Sequence, residues 1–593
     1  MSHRLIHAWP DAGCSPAAAR PVPGARPLPF AGATLVDLLD RRAADQGSAL
    51  AYTFLRDGEL ESERVTWDEL HQRSLAIAAH LQTWAAPGDR VLLLFPPGLE
   101  FIAAFFGCLA ARVIAVPVPP PLSATDLAAA ARLCAIVADA EPVGVLTTAA
   151  FLARRETTVG ERCGPAGNGR QGGCIRGSLR VRWLATDKVP AGDAPRSRLT
   201  RPVGADLAFL QYTSGSTAAP KGVMVSHGNL LDNLASAFLL SRDASQQPSV
   251  SWLPVTHDMG LIEGVLQPAF RGHAAYLMAP AAFLQRPIRW LAAMSKYRAA
   301  RSGGPNFAYD LCARRVGADA RASLDLSAWQ DAYNGAEPVR AETLAAFAAA
   351  FAECGFRQDA FRPCYGLAEA TLVVTAGQWR GGAHGPVSCG GPPAGTTIVI
   401  VDSETGRPCP DGTIGEIWIR GPGVAAGYWR HGDDNARSFG ARTSDGRTGF
   451  LRSGDLGYTL RGELVLTGRL KDVLIVRGVK HFPQDLELTA ERAHAGVRRG
   501  CVAAVALEGG VDGDGVAILA EVEPRRLEEG EAPADVADRI RSAVCETHGV
   551  FPHVVALVPP GTLPKTTSGK LQRFLCRERW LTQTLPVIEA AGG

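Results

Sequence analysis

The chain of 593 residues is too long for one compact domain, and its 61 Lys and Arg against 59 Asp and Glu leave a net charge of only +2. This balance argues against a global field that would attract nucleic acid or an anionic membrane. The 13 cysteines are scattered without Cys-x-x-Cys pairs, so they indicate neither a disulfide framework nor a zinc site, and a reducing cytoplasm is the expected location.

The N-terminal part predicts neither a signal peptide nor a membrane anchor. Residues 1–30 are rich in proline and alanine and predict a loosely ordered lead-in, because Pro10 and Asp11 interrupt any apolar region. The most apolar run, at 101–111, is too short to span a bilayer. We therefore expect a buried helix there and no membrane insertion.

Helical and strand patterns alternate from Leu35 to Pro117. Apolar periodicity predicts helices at 35–45 and from Thr66, and it predicts strands at 50–54, 91–95 and 113–117 around the buried helix. This alternation indicates a parallel sheet wrapped by helices, which is an α/β fold. The stretch at 159–177 is rich in glycine and arginine and predicts a solvated loop.

The later part of the chain has a different character. From about residue 388, short strands such as 397–401 and 415–419 predict a small β subdomain. Beyond Lys471, strands at 502–507, 516–522 and 554–558 and a helix at 535–548 predict an α+β domain. We therefore predict a large N-terminal domain at 31–470, with its β subdomain at 388–470, and a smaller mobile domain at 471–593 that pivots at Lys471.

The most informative segment is the loop Tyr212–Gly222, which is rich in hydroxyl groups and glycine. Gly215 and Gly222 allow backbone conformations that turn N–H groups toward an anion, and Lys221 adds a positive charge. The Walker pattern Gly-x-x-x-x-Gly-Lys-Ser/Thr is absent here, which disfavours kinase and GTPase functions. The loop therefore predicts a phosphate-binding site of another kind, between a buried strand at 206–212 and a helix that begins at Ser226.

This loop resembles the phosphate loop of the adenylate-forming superfamily, and the chain is most similar to the fatty acyl-AMP ligases within it. The resemblance extends from about residue 30 to 582 and includes motifs at 251–262, 302–309, 334–338, 364–371, 452–455, 468–469 and 563–573. It implies activation of a fatty acid with ATP and Mg²⁺, release of pyrophosphate, and transfer to the phosphopantetheine thiol of a holo acyl carrier protein. The pathway would be lipid, polyketide or nonribosomal peptide biosynthesis.

The same resemblance assigns roles to individual residues. It implies that ATP or AMP is bound by Thr213, Ser214, Gly215, Ser216, Thr217, Lys221, Asn334, Gly335, Ala336, Glu337, Tyr365, Gly366, Asp455 and Arg469. It implies that the acyl group is bound by His257, Met259, Gly260, Ile262 and Gly304. Mg²⁺ would be held by Thr217 and Glu369, Tyr365 would stack on adenine, and Asp455 would accept hydrogen bonds from the ribose. The expected catalytic residues are Lys570, His257 and Glu369, with Lys570 bridging the carboxylate and the α-phosphate.

The final acceptor is less well determined. An extra segment that distinguishes the fatty acyl-AMP ligases is largely missing, because only 18 positions separate Thr371 from Cys389. A fatty acyl-CoA ligase that uses coenzyme A therefore remains an alternative, as do an amino-acid-type adenylating enzyme and a non-catalytic nucleotide-binding protein. The chain contains no Gly-x-Asp-Ser-Leu carrier motif, so we expect the carrier to be a separate protein.

Overall fold

A computed structural model of the chain describes residues 27–121, 127–160, 181–190, 200–213, 220–242, 246–476, 479–510, 513–527, 531–566 and 569–592. Most of the predicted lead-in and most of the Gly/Arg-rich stretch at 159–177 lie outside these residues. Within the described ranges, the model contains no helix that combines the length and the apolar character needed to cross a bilayer.

The strands fall into two groups along the chain. As far as Arg469 they are β1 Leu50–Arg56, β2 Leu60–Thr66, β3 Arg90–Leu93, β4 Ile114–Pro117, β5 Gly144–Thr147, β6 Arg182–Ala185, β7 Leu207–Tyr212, β8 Gly222–Ser226, β9 Ser249–Ser251, β10 Ala275–Met278, β11 Arg301–Gly304, β12 Asp331–Asn334, β13 Phe361–Gly366, β14 Val373–Ala376, β15 Thr397–Val401, β16 Gly415–Arg420, β17 Leu451–Leu460 and β18 Glu463–Arg469. Beyond Arg469 they are β19 Leu474–Val476, β20 Val479–His481, β21 Val497–Gly510, β22 Gly513–Val522, β23 Val554–Val558 and β24 Glu589–Gly592.

The α-helices are Leu35–Gln46, Trp67–Leu81, Glu100–Ala110, Leu127–Ala140, Ala149–Gly160, His227–Leu240, Asp258–Leu261, Gln267–Arg271, Pro280–Gln285, Ile288–Lys296, Asn306–Arg315, Ala318–Arg321, Ala341–Ala350, Gly432–Ser438, Pro483–Ala493, Pro533–His548 and Arg573–Leu581. A π-helical turn spans Ile262–Leu266. Capping boxes begin three of the helices, with Thr34, Thr66 and Ser226 at their N-caps.

Two sheets form the large N-terminal domain. In the described residues their strand orders are β6-β5-β3-β4-β7-β8 and β14-β13-β12-β11-β9-β10-β1-β2. Strands β3 and β4 pair in parallel, and the connecting helix Glu100–Ala110 is buried from Phe101 to Ala110. The predicted buried helix and parallel pairing are therefore confirmed.

Two strands are missing from the prediction, and a third lies in a different sheet. Strand β2 has the sequence Leu-Glu-Ser-Glu-Arg-Val-Thr and is exposed for most of its length, so this edge strand lacks the apolar alternation that marks a half-buried strand. It pairs with β1, which joins β10 rather than the sheet of β3 and β4. Strand β8 pairs antiparallel with β7, so the phosphate loop connects two strands and the helix starts only after β8.

The later part of the chain follows the predicted pattern. Strands β15 to β18 form an antiparallel sheet, and β21 to β24 form a mixed sheet. The helices Pro483–Ala493 and Pro533–His548 contribute to the apolar core of the second sheet. The α/β class, with a large N-terminal and a smaller C-terminal domain, is confirmed, whereas the exact domain boundaries remain predictions.

Candidate active site

The structure describes the two ends of the phosphate loop. Strands β7 and β8 place Tyr212 opposite Gly222, and the Thr213 N–H donates to the Lys221 carbonyl at 3.3 Å. The middle of the loop lies outside the described residues and consists of Ser214, Gly215, Ser216, Thr217, Ala218 and Ala219. The phosphate and metal contacts assigned to this middle part therefore remain predictions.

The ammonium group of Lys221 and the carboxylate of Glu369 meet at the Tyr428 side chain. Lys221 Nζ lies 5.3 Å from the Tyr428 ring centroid and 2.6 Å from Asp434 Oδ2. The Tyr428 O–H donates to Glu369 Oε1 at 2.8 Å. Hydrogen bonds from Lys221 and then Arg437 lower the pKa of Asp434 to about 2. Tyr428 therefore orients the two groups that we expect to hold phosphate and a cation.

Glu369 lies on a 3₁₀ turn, Ala368–Ala370, that is held from both sides. The Ala425 N–H donates to the Glu369 carbonyl at 2.9 Å, and Thr371 Oγ1 donates to the Gly423 carbonyl at 2.7 Å. Thr371 has φ 69°, which is strained for a β-branched residue and persists only where the surrounding structure holds it. Burial raises the pKa of Glu369, so a nearby cation would favour its ionised form.

Asp455 is fixed by one hydrogen bond to each of its carboxylate oxygens. It lies opposite Arg469 in the pair β17 and β18, and Arg469 Nε donates to Oδ1 at 3.0 Å. The Tyr365 O–H donates to Oδ2 at 2.9 Å, and burial raises the pKa of Tyr365 so that it stays neutral. Each oxygen retains a lone pair, so Asp455 can also accept hydrogen bonds from two neighbouring hydroxyl groups.

The segment after β12 approaches its neighbours very closely. A Cβ atom on Gly335 would lie 2.6 Å from Cys364 Sγ, and Ala336 has φ 68°. The next side chain is anchored, because the Phe307 N–H donates to Glu337 Oε1 at 2.7 Å. Burial raises the pKa of Glu337. The segment thus presents its backbone and one buried carboxyl group to the cavity.

Lys570 reaches this site from the smaller domain. Its loop is closed by hydrogen bonds in both directions between Lys570 and Thr566, at 2.7 and 3.1 Å. Gly569 has φ 86°, and a Cβ atom there would lie 2.9 Å from the Phe307 ring, so the loop docks against the larger domain. Burial and the charge of Arg469 lower the pKa of Lys570.

Three carboxylates partly offset the lowering of the Lys570 pKa, because a negative charge nearby favours the charged form of the lysine. They belong to Asp258, Glu337 and Asp455, which come from different parts of the larger domain. Asp258 also lies beside His257, with 2.6 Å between Asp258 Oδ1 and His257 Nδ1. Burial alone would raise the pKa of Asp258, but His257, Lys570 and the Met259 N–H lower it. The sequence motif contains Asp258, yet only the structure places it beside Lys570.

Many of the predicted residues line one cavity of about 2270 Å³. Those that line it are Thr213, His257, Met259, Ala336, Glu337, Tyr365, Gly366, Glu369, Asp455, Arg469 and Lys570. The other described candidates do not line this cavity. They are Lys221, Gly260, Ile262, Gly304, Asn334, Gly335 and Lys471. A Cβ atom on Gly260 would lie 2.0 Å from the Pro254 oxygen, and one on Gly304 would lie 2.6 Å from Trp252, so both glycines serve close packing.

Ion pairs fix the smaller domain against the larger one. Arg340 Nη1 lies 3.2 Å from the buried Glu491 Oε2, and Arg492 Nη2 lies 2.8 Å from Glu342 Oε1. The proposed hinge, Lys471, is exposed in the 3₁₀ turn Leu470–Asp472. This position is compatible with a hinge, which remains a prediction.

Two family models cover most of the chain. Residues 39–429 match the model described as AMP-binding enzyme, and residues 471–590 match the model described as Disco-interacting protein 2-like, AMP domain. These matches include both the larger region and the region that carries Lys570.

Individual proteins are similar over nearly their whole length. The chain is 39% identical to the medium-chain-fatty-acid–[acyl-carrier-protein] ligase JamA of Moorena producens, over 94% of this chain and 96% of the relative. It is 36% identical to the 4-hydroxyphenylalkanoate adenylyltransferase of Mycobacterium tuberculosis, over 98% and 97%. The structure of a fatty acyl-adenylate ligase from L. pneumophila, in complex with acyl adenylate and pyrophosphate, is 38% identical, with a TM-score of 0.69 over 94% of this chain and 98% of that one.

Proposed function

Because this chain belongs to the fatty acyl-AMP ligases within the AMP-binding enzyme family, we propose that it activates a fatty acid with ATP and loads it onto a carrier. The first step joins the acid to AMP and releases pyrophosphate. The second passes the acyl group to the phosphopantetheine thiol of a separate holo acyl carrier protein. The observation that carries the proposal is that Lys570 of the smaller domain lines the same cavity as Asp258, Glu337, Asp455 and Glu369 of the larger domain.

The first step has a clear electrostatic difficulty. A carboxylate oxygen attacks the α-phosphorus of ATP, a new C–O–P linkage forms, and the bond to the β-phosphate breaks. Both reactants and the leaving pyrophosphate are anions, so the site must supply positive charge and alignment. In the proposal, Lys570 supplies that charge between the carboxylate and the α-phosphate, and Lys221 supplies it at the leaving phosphates.

The other residues hold the nucleotide and the acid in place. Asp455, already oriented by Tyr365 and Arg469, has free lone pairs for both ribose hydroxyl groups. The segment Asn334–Glu337 offers backbone groups to the adenine, and His257 lies beside the reacting carboxylate. Binding of this kind turns the attack into a reaction between aligned groups.

Glu369 fits a magnesium ion as a carboxylate ligand. Its Oε1 accepts from Tyr428, whereas Oε2 has no hydrogen-bond donor among the described residues and belongs to a side chain that lines the cavity. Mg²⁺ prefers such hard oxygen ligands and takes most of the others from phosphate and water, and when bound it neutralises phosphate charge. In the proposal, Glu369 anchors the ion, and Thr217 completes its protein ligands.

The proposed function and its main alternative differ in the acceptor of the acyl group, which is a carrier protein in the first and coenzyme A in the second. In the described residues 371–389 the only regular element is β14, and Trp379 packs edge-on against Phe361 with 5.7 Å between ring centroids. This short connection favours the alternative of a fatty acyl-CoA ligase, because it provides no inserted element. The similarity to an acyl-carrier-protein ligase over nearly the whole chain favours a carrier protein. The proposal places the reaction in the cytoplasm.

Replacing Lys570 tests its assigned charge. We expect Lys570→Ala to lower the rate of adenylate formation by about a hundred- to a thousandfold, because the cation that bridges the carboxylate and the α-phosphate is lost. ATP binding should persist, since Lys221 and Asp455 are unchanged. Pyrophosphate release and ATP binding measure the two effects, and Lys480→Ala, at an exposed lysine of the same domain, serves as the control. Pyrophosphate release at the wild-type rate by Lys570→Ala would refute the role.

The pH dependence tests the same group without removing it. Burial lowers the pKa of Lys570 below the ordinary value of 10.5, so the free enzyme should lose this charge at a lower pH than a solvated lysine would. We expect an alkaline limb in kcat/KM for the acid that lies below pH 10.5. Lys570→Arg keeps its charge at high pH, and its residual activity should lack this limb. An identical limb in both proteins would assign it to another group.

Glu369→Gln tests the magnesium site. Glutamine keeps the shape and can still accept from Tyr428, but it lacks the negative charge that attracts the cation. We expect the Mg²⁺ concentration for half-maximal pyrophosphate release to rise by about ten- to a hundredfold. Glu353→Gln, at an exposed glutamate, should leave the requirement unchanged. The assignment fails if Glu369→Gln needs no more Mg²⁺ than the wild type.

The acceptor is identified by a direct comparison. The purified protein is given ATP, Mg²⁺ and fatty acids of graded length, followed by coenzyme A, holo carrier protein or apo carrier protein. We expect an acyl thioester on the holo carrier only, because the apo carrier has no phosphopantetheine thiol. Rapid formation of acyl-CoA at a rate above that of carrier loading would instead establish the ligase that uses coenzyme A.

A further inference from the structure

One face of the larger sheet carries polar side chains into the cavity. Strands β11, β12 and β13 are adjacent and parallel, with Arg301 opposite Asp331 and Tyr333 opposite Arg362. Because side chains alternate between the two faces of a strand, Arg301, Asp331 and Tyr333 project from the same face. Arg301, Tyr333 and Arg362 line the cavity, together with Glu263 from the π-helical turn. A π-helical turn is itself frequent at functional sites.

The charges in this region form a buried, neutral network. Arg301 donates from Nε and Nη2 to the same oxygen, Glu263 Oε2, at 3.1 and 2.6 Å. Its Nη1 donates to Asp331 Oδ2 at 3.1 Å, and Arg362 Nε lies 3.3 Å from Asp331 Oδ1. All four side chains are at least nine-tenths buried. Such a network is costly to separate, because removing one partner leaves an uncompensated charge.

Two hydrogen-bonding atoms of the network remain available on the cavity side. Glu263 Oε1 and the Tyr333 hydroxyl form no hydrogen bond with any described residue, although both residues line the cavity. Their side chains are buried, at 8% and 6% exposure. Burial, followed by the charge of Glu263, raises the pKa of Tyr333, so its hydroxyl is a neutral donor. Both atoms are accessible from the cavity, so a hydroxyl group bound there can complete their hydrogen bonds in place of water.

The ion pair of Glu263 and Arg301 lies away from the reaction centre along β11, and Tyr333 lies one residue before the end of the neighbouring β12. The C-terminal end of β11 leads to Phe307, whose ring lies under Gly569 beside Lys570. Arg301 lies three residues before the end of that strand, which is about 10 Å deeper. The apolar side chains of Met259, Leu372 and Val373 line the same cavity. The cavity therefore offers a charged end for a carboxylate, apolar walls, and a hydrogen-bonding end.

We propose that Glu263 and Tyr333 form a specificity subsite for a hydroxyl group on the far end of the substrate acid. The substrate O–H would donate to Glu263 Oε1, and its oxygen would accept from the Tyr333 O–H. Arg301 positions the Glu263 carboxylate through its other oxygen. The inference rests on the proposed function, because it assumes that the carboxylate of the acid lies at Lys570.

The subsite disfavours a plain alkyl end for a physical reason. A methyl group against Glu263 Oε1 would leave a charged oxygen desolvated and without a donor. A longer alkyl chain would have to displace the ion pair between Glu263 and Arg301. Sites that hydrogen-bond a substrate hydroxyl group discriminate strongly against the analogue that lacks it. The preferred acids are therefore those of medium length with a terminal hydroxyl group.

The test compares terminal hydroxy acids from hexanoic to dodecanoic acid with their unsubstituted parents. For at least one length, kcat/KM in pyrophosphate exchange should favour the hydroxy acid by about tenfold or more. Tyr333→Phe removes only the hydroxyl group and should reduce this preference, chiefly by lowering kcat/KM for the hydroxy acid. Tyr297→Phe, at a phenol that bonds Glu61 at 2.9 Å outside the cavity, should retain the full preference. Glu263→Gln should also reduce the preference.

A binding measurement separates this inference from the proposed function. Acyl sulfamoyl adenosines with and without the terminal hydroxyl group imitate the acyl-adenylate but cannot react, and calorimetry gives their Kd. Tighter binding of the hydroxylated analogue, lost in Tyr333→Phe, supports the subsite even where exchange is slow. Equal binding of both analogues, or an equal loss of both in Tyr333→Phe, overturns the subsite. Absence of pyrophosphate exchange with every acid, despite analogue binding, overturns the proposed function alone.

Discussion

The arrangement of the site depends on one positive charge that the smaller domain supplies to the cavity. Lys570 lies among carboxylates of the larger domain, and burial by itself would favour its neutral form. Asp258, Glu337 and Asp455 offset part of that cost where the two domains meet. The ion pairs of Arg340 with Glu491 and of Arg492 with Glu342 also join the two domains. The position of the smaller domain therefore determines whether the site contains the charge of Lys570.

Neutral phenol groups solve a second problem of the same site. A site for an anionic nucleotide also needs carboxylates, which repel phosphate unless they are held away from it or bound to a cation. Tyr428 donates to Glu369, and Tyr365 donates to Asp455. Because burial raises the pKa of both tyrosines, they remain donors and add no charge. Each carboxylate is therefore aimed before any ligand arrives, which reduces the reorganisation that binding requires.

The cavity differs in polarity from one end to the other. Its reaction end gathers Lys570, His257 and Glu369, whereas its deep end contains the buried pair of Glu263 and Arg301. A buried ion pair contributes little net stability, and this one lines the cavity, where the proposed subsite uses it to position Glu263. Strand β12 leads into Gly335 and β13 ends at Gly366, and the close packing of these two glycines sets the position of the segment 334–337 and of Glu369. One sheet therefore positions both Glu369 and the polar side chains of Tyr333 and Arg362.

The sequence by itself determined the elements whose signals are local. The apolar run at 101–111, the helix that begins at Thr66, and the motifs that contain Lys221, Glu369 and Lys570 all lie within a few consecutive residues. The sequence pattern did not predict β2, because this exposed edge strand has no alternation of apolar and polar residues. Only the tertiary structure decided that Tyr428 joins Lys221 to Glu369, that Asp258 faces Lys570, and that Glu263 pairs with Arg301. These contacts join residues that are far apart in the chain, and the Glu263 and Arg301 pair spans 38 positions. Side-chain contacts across a sheet depend on strand order and register, which no short segment of sequence encodes.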